Sequence, residues 1–201
     1  MRKLLYGTGN PAKLEAMRRR LDVLQIEIIG LKDLNREIPS VDESGKTPLD
    51  NARIKATAYY KAFGMPVFSC DSGMYIKELP EHLQPGVYVR RINGKTLSDE
   101  EMLDYYSGLA KTYGTLTARY QNAICLIDEE GQYYELMDES IASEPFFIAA
   151  VPHKIRKKGF PIDSLSIDIK SGEYYYDLPD NKLDQVAVED GFLEFFKKLN
   201  R

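Results

Sequence analysis

The sequence predicts a mixed α/β fold, and three observations along its 201 residues lead to that class. A short apolar run, Lys3–Tyr6, stops at a glycine-containing turn, and a helical pattern begins straight afterwards. A second helical pattern, from Pro48, leads into another buried strand. From Leu116 onward, two long strand-like runs joined by a polar turn favour an antiparallel hairpin. Because the chain has no repeat and no linker composition, we expect a single domain over residues 1–201, with a cleft between two lobes.

The predicted elements alternate between strand and helix in the first half of the chain. The predicted strands are Lys3–Tyr6, Gln25–Gly30, Met65–Cys70, Leu116–Ile127 and Tyr133–Ile141. The predicted helices are Pro11–Leu21, Pro48–Phe63, Asp99–Leu109 and Val186–Leu199. In two of them a favoured N-cap, Asn10 or Thr47, precedes proline at the first helical position. Ser98 and Glu101 form a capping box for the third helix, and Gly64 suits the end of the second.

Composition and charge exclude several classes of function. A formal net charge of -4 gives no bulk basic field, so we expect no nucleic-acid polymer as partner. We find no apolar run of membrane-span length and no signal-peptide core, so we expect a cytoplasmic protein without membrane association. Cys70 and Cys125 lie in apolar stretches, which favours buried small hydrophobes over a disulfide or a nucleophile. With only His82 and His153 present, a histidine-rich metal site or a catalytic triad gains no support.

The turn at Gly7-Thr8-Gly9-Asn10 is the first candidate site. A strand that feeds a glycine-containing turn and then a helix N-terminus presents backbone N–H groups and the positive end of the helix dipole. Lys13 lies one turn into that helix, within reach of the same anion. The spacing is that of neither a Walker loop nor a dinucleotide fingerprint. The segment therefore predicts a phosphate-binding turn, with an ordinary capped strand–helix turn as the alternative.

Two acidic segments and one aromatic run are the remaining candidates. Asp42-Glu43 precedes the second helix and offers hard oxygen ligands to Mg²⁺. The alternative is a solvated loop whose negative charges favour the nearby helix N-terminus. Asp71-Ser72-Gly73 follows a buried strand, where we expect a polar turn. A carboxylate there is at the rim of the sheet, where it can bind a metal and orient a water molecule. Tyr174-Tyr175-Tyr176 suits stacking on a base, although such a run more often packs against a strand or edge.

Taken together and in order, these motifs resemble the inosine triphosphate pyrophosphatase family. The matching segments are Thr8-Gly9-Asn10 with Lys13, Glu43-Ser44-Gly45 with Thr47, Asn51-Ala52 with Lys55-Ala56, Asp71-Ser72-Gly73, and Pro85-Gly86-Val87-Tyr88 with Arg91. A weaker match is the stretch from Gly159 to Asp163, where the family has Gly-Phe-Gly-Tyr-Asp against the base. The similarity is good up to Arg91 and thins beyond it.

The resemblance implies both a fold and an activity. The implied fold is an elongated, twisted mixed sheet flanked by helices, with two lobes around a nucleotide cleft, usually as a homodimer. The implied activity is Mg²⁺-dependent hydrolysis of a nucleoside triphosphate, of a deaminated or otherwise modified purine, to monophosphate and pyrophosphate. One alternative is a nucleotide-binding or regulatory protein of the same fold with lost or altered turnover. Another is a structural or interaction subunit in which the first turn only caps a helix.

The resemblance also assigns roles to individual residues. Glu43 and Asp71 would bind Mg²⁺, and Asp71 would be the catalytic residue that positions the attacking water. The residues expected to bind the substrate are Thr8, Gly9, Asn10, Lys13, Ser72, Arg91, Phe160, Asp163 and Lys182. These residue types suit phosphoryl-type displacement, which needs charge neutralisation and alignment more than covalent chemistry.

The chain departs from the family pattern at two places. Cys70 stands where the family has the first of two successive acids, which would remove a charge near the metal. The family's Ser-His-Arg, which recognises the 6-oxo group of the purine, is absent, and residues 183–190 after Lys182 include acids instead. The arrangement of buried hydrogen-bond donors determines which base an active site accepts. The resemblance therefore implies an altered or relaxed base preference, while the residues that bind phosphate and metal are kept.

Overall fold

The chain divides into two compact units in its computed structural model, which describes residues 3–179 and 190–199. The first unit comprises the described residues 3–72, 121–141 and 190–199, and the second comprises 73–120 and 142–179. No helix in these ranges is both long enough and apolar enough to cross a membrane. The expectation of one domain over residues 1–201 stays a prediction.

The described residues form nine strands, four helices and several short 3₁₀ turns. The strands are β1 Lys3–Tyr6, β2 Glu27–Gly30, β3 Val67–Ile76, β4 Arg91–Ile92, β5 Lys95–Thr96, β6 Leu116–Ile127, β7 Tyr133–Leu136, β8 Phe146–Ile148 and β9 Ser166–Asp168. The helices are α1 Pro11–Leu21, α2 Pro48–Phe63, α3 Asp99–Tyr113 and α4 Asp190–Leu199.

In the first unit the strands hydrogen-bond in the order β2-β1-β3-β6, and β7 pairs with β6. β1 is parallel to β2 and β3, whereas β6 and β7 are antiparallel, so the sheet is mixed as predicted. Successive side chains of a strand point to opposite faces of its sheet. Phe68 accordingly packs in the apolar cluster that holds Met17 of α1 and Phe196 of α4, whereas Val67 packs with Ala56 of α2. Helices therefore cover both faces of this sheet.

In the second unit, β8 pairs with β6 and with β9, antiparallel in both cases. Two short strands, β4 and β5, form a separate hairpin. Met102 and Tyr106 of α3 pack in one apolar cluster with Leu116 of β6 and Phe146 of β8. α3 thus supplies the helical layer that covers the antiparallel strands of this unit.

The predicted helix signals are confirmed at four positions. The Asn10 side chain accepts hydrogen bonds from the first-turn amides of α1, and Thr47 does the same for the Asp50 amide of α2. Ser98 and Glu101 form the expected capping box of α3. Gly64 ends α2 with φ of +64°, in the left-handed region that glycine adopts at least cost.

Several predicted bounds were wrong. Asp71-Ser72-Gly73 is not a turn, because β3 runs on to Ile76 with further buried side chains beyond the polar residues. The strand predicted over Tyr133–Ile141 ends at Leu136, since the Asp138 carboxylate accepts from the Ser140 amide and starts a 3₁₀ turn.

Smaller differences concern element ends and short strands. β2 begins at Glu27 because Gln25 adopts a left-handed φ of 53°. α3 runs to Tyr113 instead of Leu109, and the hairpin β4–β5 and strands β8 and β9 were not predicted. Of the last predicted helix, residues 186–189 lie outside the described residues.

Candidate functional site

A buried ion-pair cluster on α2 and β3 in the first unit is the candidate centre of the site. The Lys55 ammonium donates to Asp71 Oδ1 at 2.6 Å and to Glu43 Oε2 at 3.1 Å. The Lys55 and Asp71 side chains are 11% and 13% exposed, whereas that of Glu43 is 40% exposed. Burying charges is costly unless they are paired, so this arrangement holds two carboxylates against one cation. We call these three residues the acidic centre.

Burial and charge act in opposite directions on Lys55. Burial alone would lower the pKa of its ammonium, but the negative charges of Asp71 and Glu43 outweigh burial and hold that pKa above its ordinary value. Lys55 is therefore a permanent cation at neutral pH. One ammonium beside two carboxylates leaves the three groups with a net negative charge, which suits a bound cation more than an anion bound directly.

Asn51 joins the acidic centre to the loop that carries Glu43. Its Nδ2 donates to Asp71 Oδ2 at 3.2 Å, and its Oδ1 accepts from the Gly45 amide at 2.8 Å. A Cβ at Gly45 would lie 2.6 Å from Asn51 Oδ1 and from Asp50 Cβ, so only glycine lets the loop approach α2 this closely. Because Asn51 and Lys55 are four residues apart, they lie on the same face of α2.

Cys70 lies on the other face of β3 from Asp71. It packs, partly buried, against the apolar cluster that contains Phe68. Asp71 instead contacts α2 through Asn51 and Lys55. The expectation that Cys70 removes a charge near the metal stays a prediction. Neither Cys70 nor Cys125 forms a disulfide.

Ser72 also points away from the acidic centre. Its hydroxyl donates to Asn122 Oδ1 at 2.6 Å, and Asn122 Nδ2 donates to the Ile141 carbonyl at 2.8 Å. Asn122 is buried, so this chain of hydrogen bonds fixes β3 against β6 directly after Asp71. The phosphate contact predicted for Ser72 stays a prediction.

The turn before α1 is already hydrogen-bonded within the protein. Asn10 Oδ1 accepts from the Ala12 and Lys13 amides, at 2.9 and 3.4 Å. Thr8 Oγ1 accepts from the Asn10 amide at 3.2 Å. The expectation of free helix amides is therefore wrong for the first turn of α1. The groups left to meet a phosphate are the Gly9 amide and the Lys13 ammonium, which makes no ion pair with any described residue.

Gly7 and Gly9 differ in why they are glycine. A Cβ at Gly7 would lie 2.2 Å from Ser69 Oγ and 2.5 Å from a Tyr59 ring carbon, so packing requires glycine there. A Cβ at Gly9 would meet nothing within 4 Å. Glycine at position 9 is therefore not explained by packing, and close approach of a ligand would explain it.

The remaining predicted site residues belong to the second unit. The Arg91 guanidinium lies 5.2 Å from the ring centroid of Tyr88, which is half exposed. Lys157 Nζ lies 4.9 Å from the centroid of Phe160. Burial raises the pKa of the Asp163 carboxyl to about 6, against the charge of Lys157. Lys182 lies outside the described residues.

The sequence named Asn51 and Lys55 as motif members but assigned them no role. Asn51 and Lys55 are four residues apart, and each is followed by a small residue, Ala52 or Ala56. This spacing could have predicted that one face of the helix packs closely against a sheet. Within residues 3–179 and 190–199, no three His, Cys, Asp or Glu side chains are grouped as a metal site. The carboxylates of Glu43 and Asp71 are the two candidate metal ligands beside Lys55.

Comparison with known proteins gives consistent results. The sequence model of the Ham1 family matches residues 4–145. A dITP/XTP pyrophosphatase of Porphyromonas gingivalis is 32% identical over 148 residues, or 72% of this chain and 74% of that protein. A dITP/XTP pyrophosphatase from an Exiguobacterium species is 31% identical over 169 residues, or 76% of this chain and 83% of that protein. The solved structure of the Staphylococcus aureus Ham1 protein covers 100% of both chains at 19% identity, with a TM-score of 0.76, so the folds are alike.

Proposed function

This chain belongs to the Ham1 family, as its resemblance predicted, and from that membership we propose that it is a nucleoside triphosphate pyrophosphatase. Relatives that match most of its length carry the name dITP/XTP pyrophosphatase, so the proposed substrates are deaminated or otherwise modified purine nucleotides. The observation that carries the proposal is the acidic centre, where buried Lys55 holds Asp71 and Glu43. The proposed products are the monophosphate and pyrophosphate.

The proposed reaction assigns a task to each residue of the phosphate side. Asp71 holds the attacking water, and its carboxylate is kept in place by Asn51 and Lys55. Lys13 and the Gly9 amide bind the phosphate chain, because neither is engaged by another described residue. Alignment and charge neutralisation of this kind supply most of the catalysis in phosphoryl-type displacement.

The residues present fit a divalent cation, and we propose Mg²⁺. Mg²⁺ is usually held by one or two carboxylates together with substrate phosphates, and Glu43 and Asp71 supply two carboxylates that both contact Lys55. When bound, the ion neutralises phosphate charge and polarises the oxygens it contacts. Glu43 is the more exposed partner, so it is free to turn toward an ion without unfolding the loop.

Pyrophosphate release tests the proposal. We expect wild-type protein with Mg²⁺ to release pyrophosphate from inosine or xanthosine triphosphate, and Asp71→Asn to lower kcat about a hundredfold or more. The matched control is Asp104→Asn, because Asp104 is exposed on α3 and its side chain makes no hydrogen bond or ion pair with a described residue. Triphosphate binding without turnover would favour the alternative of a binding or regulatory protein. Equal turnover in Asp71→Asn and Asp104→Asn would refute the role of Asp71.

The resemblance supports two further proposals about this chain, a homodimeric state and a cytoplasmic location. Light scattering coupled to size-exclusion chromatography tests the first, and a mass of one chain would contradict it. Fractionation of cells that express the chain tests the second.

A further inference from the structure

The Tyr59 side chain borders both the turn before α1 and the acidic centre of the first unit. A Cβ at Gly7 would lie 2.5 Å from Tyr59 Cδ2 and 2.9 Å from its Cε2, so one edge of the ring covers the backbone where the turn begins. Tyr59 follows Lys55 by four residues and therefore lies on the same face of α2. One side chain thus contacts the turn that carries Gly9 and neighbours the cation of the acidic centre.

The Tyr59 hydroxyl makes no hydrogen bond with any residue in the ranges 3–179 and 190–199. The residue is only 7% exposed, but its hydroxyl oxygen is not fully buried, so a ligand can reach it. Other tyrosine hydroxyls are paired. That of Tyr106 donates to the Val89 carbonyl at 2.7 Å, and that of Tyr60 to the Glu129 carbonyl at 3.5 Å. A packed ring with an accessible, unused polar end is suited to contact a bound molecule.

The charges around the Tyr59 hydroxyl favour phosphate as its partner. Burial raises the pKa of this hydroxyl, the positive charge of Lys55 lowers it, and the negative charge of Glu43 raises it, with a net increase. Both charged groups therefore lie near the hydroxyl, which keeps its proton at neutral pH. It offers a hydrogen-bond donor that carries no charge, and phosphate oxygens are acceptors.

We propose that Tyr59 is a further substrate-binding residue, whose hydroxyl donates a hydrogen bond to a phosphate oxygen of the triphosphate between the turn and the acidic centre. The inference rests on the proposed function, in which the Gly9 amide and Lys13 bind the phosphate chain. Tyr59 adds a neutral donor on the side of α2, where the net charge of the acidic centre is negative.

Packing holds the Tyr59 ring in place. Besides its contact with Gly7, the ring stacks with that of Phe63, with 6.3 Å between the centroids. A donor fixed in this way loses little conformational freedom when the substrate binds. The same hydrogen bond is made before and during the reaction, so its removal should raise KM more than it lowers kcat.

Replacing Tyr59 by phenylalanine tests the inference through pyrophosphate release from xanthosine triphosphate with Mg²⁺. A hydrogen bond to a charged acceptor is lost, so we expect the KM of Tyr59→Phe to rise about ten- to a hundredfold, with kcat within about twofold of wild type. We expect the Tm to stay at the wild-type value, because the hydroxyl has no partner within the described residues. An unchanged KM in Tyr59→Phe, whatever its kcat, overturns the inference and leaves the pyrophosphatase proposal intact.

Tyr60→Phe is the matched control. It makes the same substitution one residue further along α2, where the hydroxyl donates to the Glu129 carbonyl instead of facing the acidic centre. We expect the KM of Tyr60→Phe to equal that of wild type. An equal rise of KM in both variants would show a general effect of changes in α2 and would overturn the specific role of Tyr59.

A binding measurement separates this inference from the proposed function. Calorimetry with inorganic tripolyphosphate and Mg²⁺ uses a probe without base or ribose and needs no nucleotide turnover. If wild type hydrolyses no nucleoside triphosphate, tripolyphosphate binding that is about ten- to a hundredfold weaker in Tyr59→Phe still supports the phosphate contact. Equal affinity in wild type and Tyr59→Phe, or no tripolyphosphate binding by wild type, overturns it.

Discussion

Replacing Lys55 by methionine tests whether the acidic centre depends on its cation. Methionine keeps the length and apolar stem of the side chain but leaves Asp71 and Glu43 without the ammonium that now contacts both. Breaking a buried ion pair by removing one partner costs about 3–5 kcal/mol. Because the Glu43 side chain is 40% exposed and gains hydration, we expect a smaller loss, about 2–4 kcal/mol in the free energy of unfolding.

Urea unfolding at pH 8, followed by circular dichroism, measures this loss. The control is Lys61→Met on the same helix, where the lysine is exposed and unpaired among the described residues, so we expect a change within about 0.5 kcal/mol. If Lys55→Met is no less stable than Lys61→Met, the two carboxylates do not need the ammonium, and the account of the acidic centre is wrong.

Four further substitutions test packing at two glycines, protonation of one buried carboxyl and one surface ion pair. Gly7→Ala is expected to lower the free energy of unfolding in urea by about 1–3 kcal/mol, because the added methyl group clashes with its neighbours. Gly9→Ala is expected to keep the wild-type free energy of unfolding and to raise the KM for triphosphate. A loss of stability in Gly9→Ala would contradict this reasoning. Asp163 holds its proton to about pH 6 when folded but only to 3.8 when unfolded, so its contribution to stability falls as pH rises through that window. Asp163→Asn is therefore expected to match wild type near pH 4 and exceed it by about 1–3 kcal/mol at pH 8, and a constant difference across pH would refute this. Arg53→Ala removes a bidentate ion pair with Glu135, at 2.6 and 2.8 Å, that is half exposed. We expect the free energy of unfolding in urea to fall by about 1 kcal/mol. A fall of more than twice that value would contradict the view that this pair is an ordinary surface ion pair.

The strand–turn–helix start of the chain could be predicted from sequence because its signals are local. Asn10 before Pro11 defines the helix start through bonds to the next two amides, and the structure shows those bonds. The same bonds explain why the predicted free amides are absent. The sequence pattern identified Asn10 as the N-cap of α1. It did not show that the Asn10 side chain bonds to the same backbone amides that a phosphate would need.

The continuation of β3 through Asp71-Ser72-Gly73 could not be predicted from its own residues. Asp, Ser and Gly together favour a turn, and the strand persists because Ser72 bonds to Asn122, fifty residues away in sequence. Long-range pairing of this kind overrides local preference. The same contact places Cys70 and Asp71 on opposite faces of β3, which decides what each side chain can do.

The acidic centre was predicted in part. Glu43, in the loop before the second helix, and Asp71, at the rim of the sheet, were both named as Mg²⁺ ligands. Lys55, which contacts both, was not assigned a role because its partners lie twelve and sixteen residues away and only the tertiary fold brings them together.

Phosphorus NMR of the reaction products tests the central claim most directly. Wild-type protein is incubated with Mg²⁺ and xanthosine triphosphate, and the phosphorus signals are followed with time. The proposed function predicts that xanthosine monophosphate and pyrophosphate appear together in equal amounts, with no orthophosphate at early times. Early release of orthophosphate with the diphosphate would place the cleavage at the terminal phosphate and contradict the proposal.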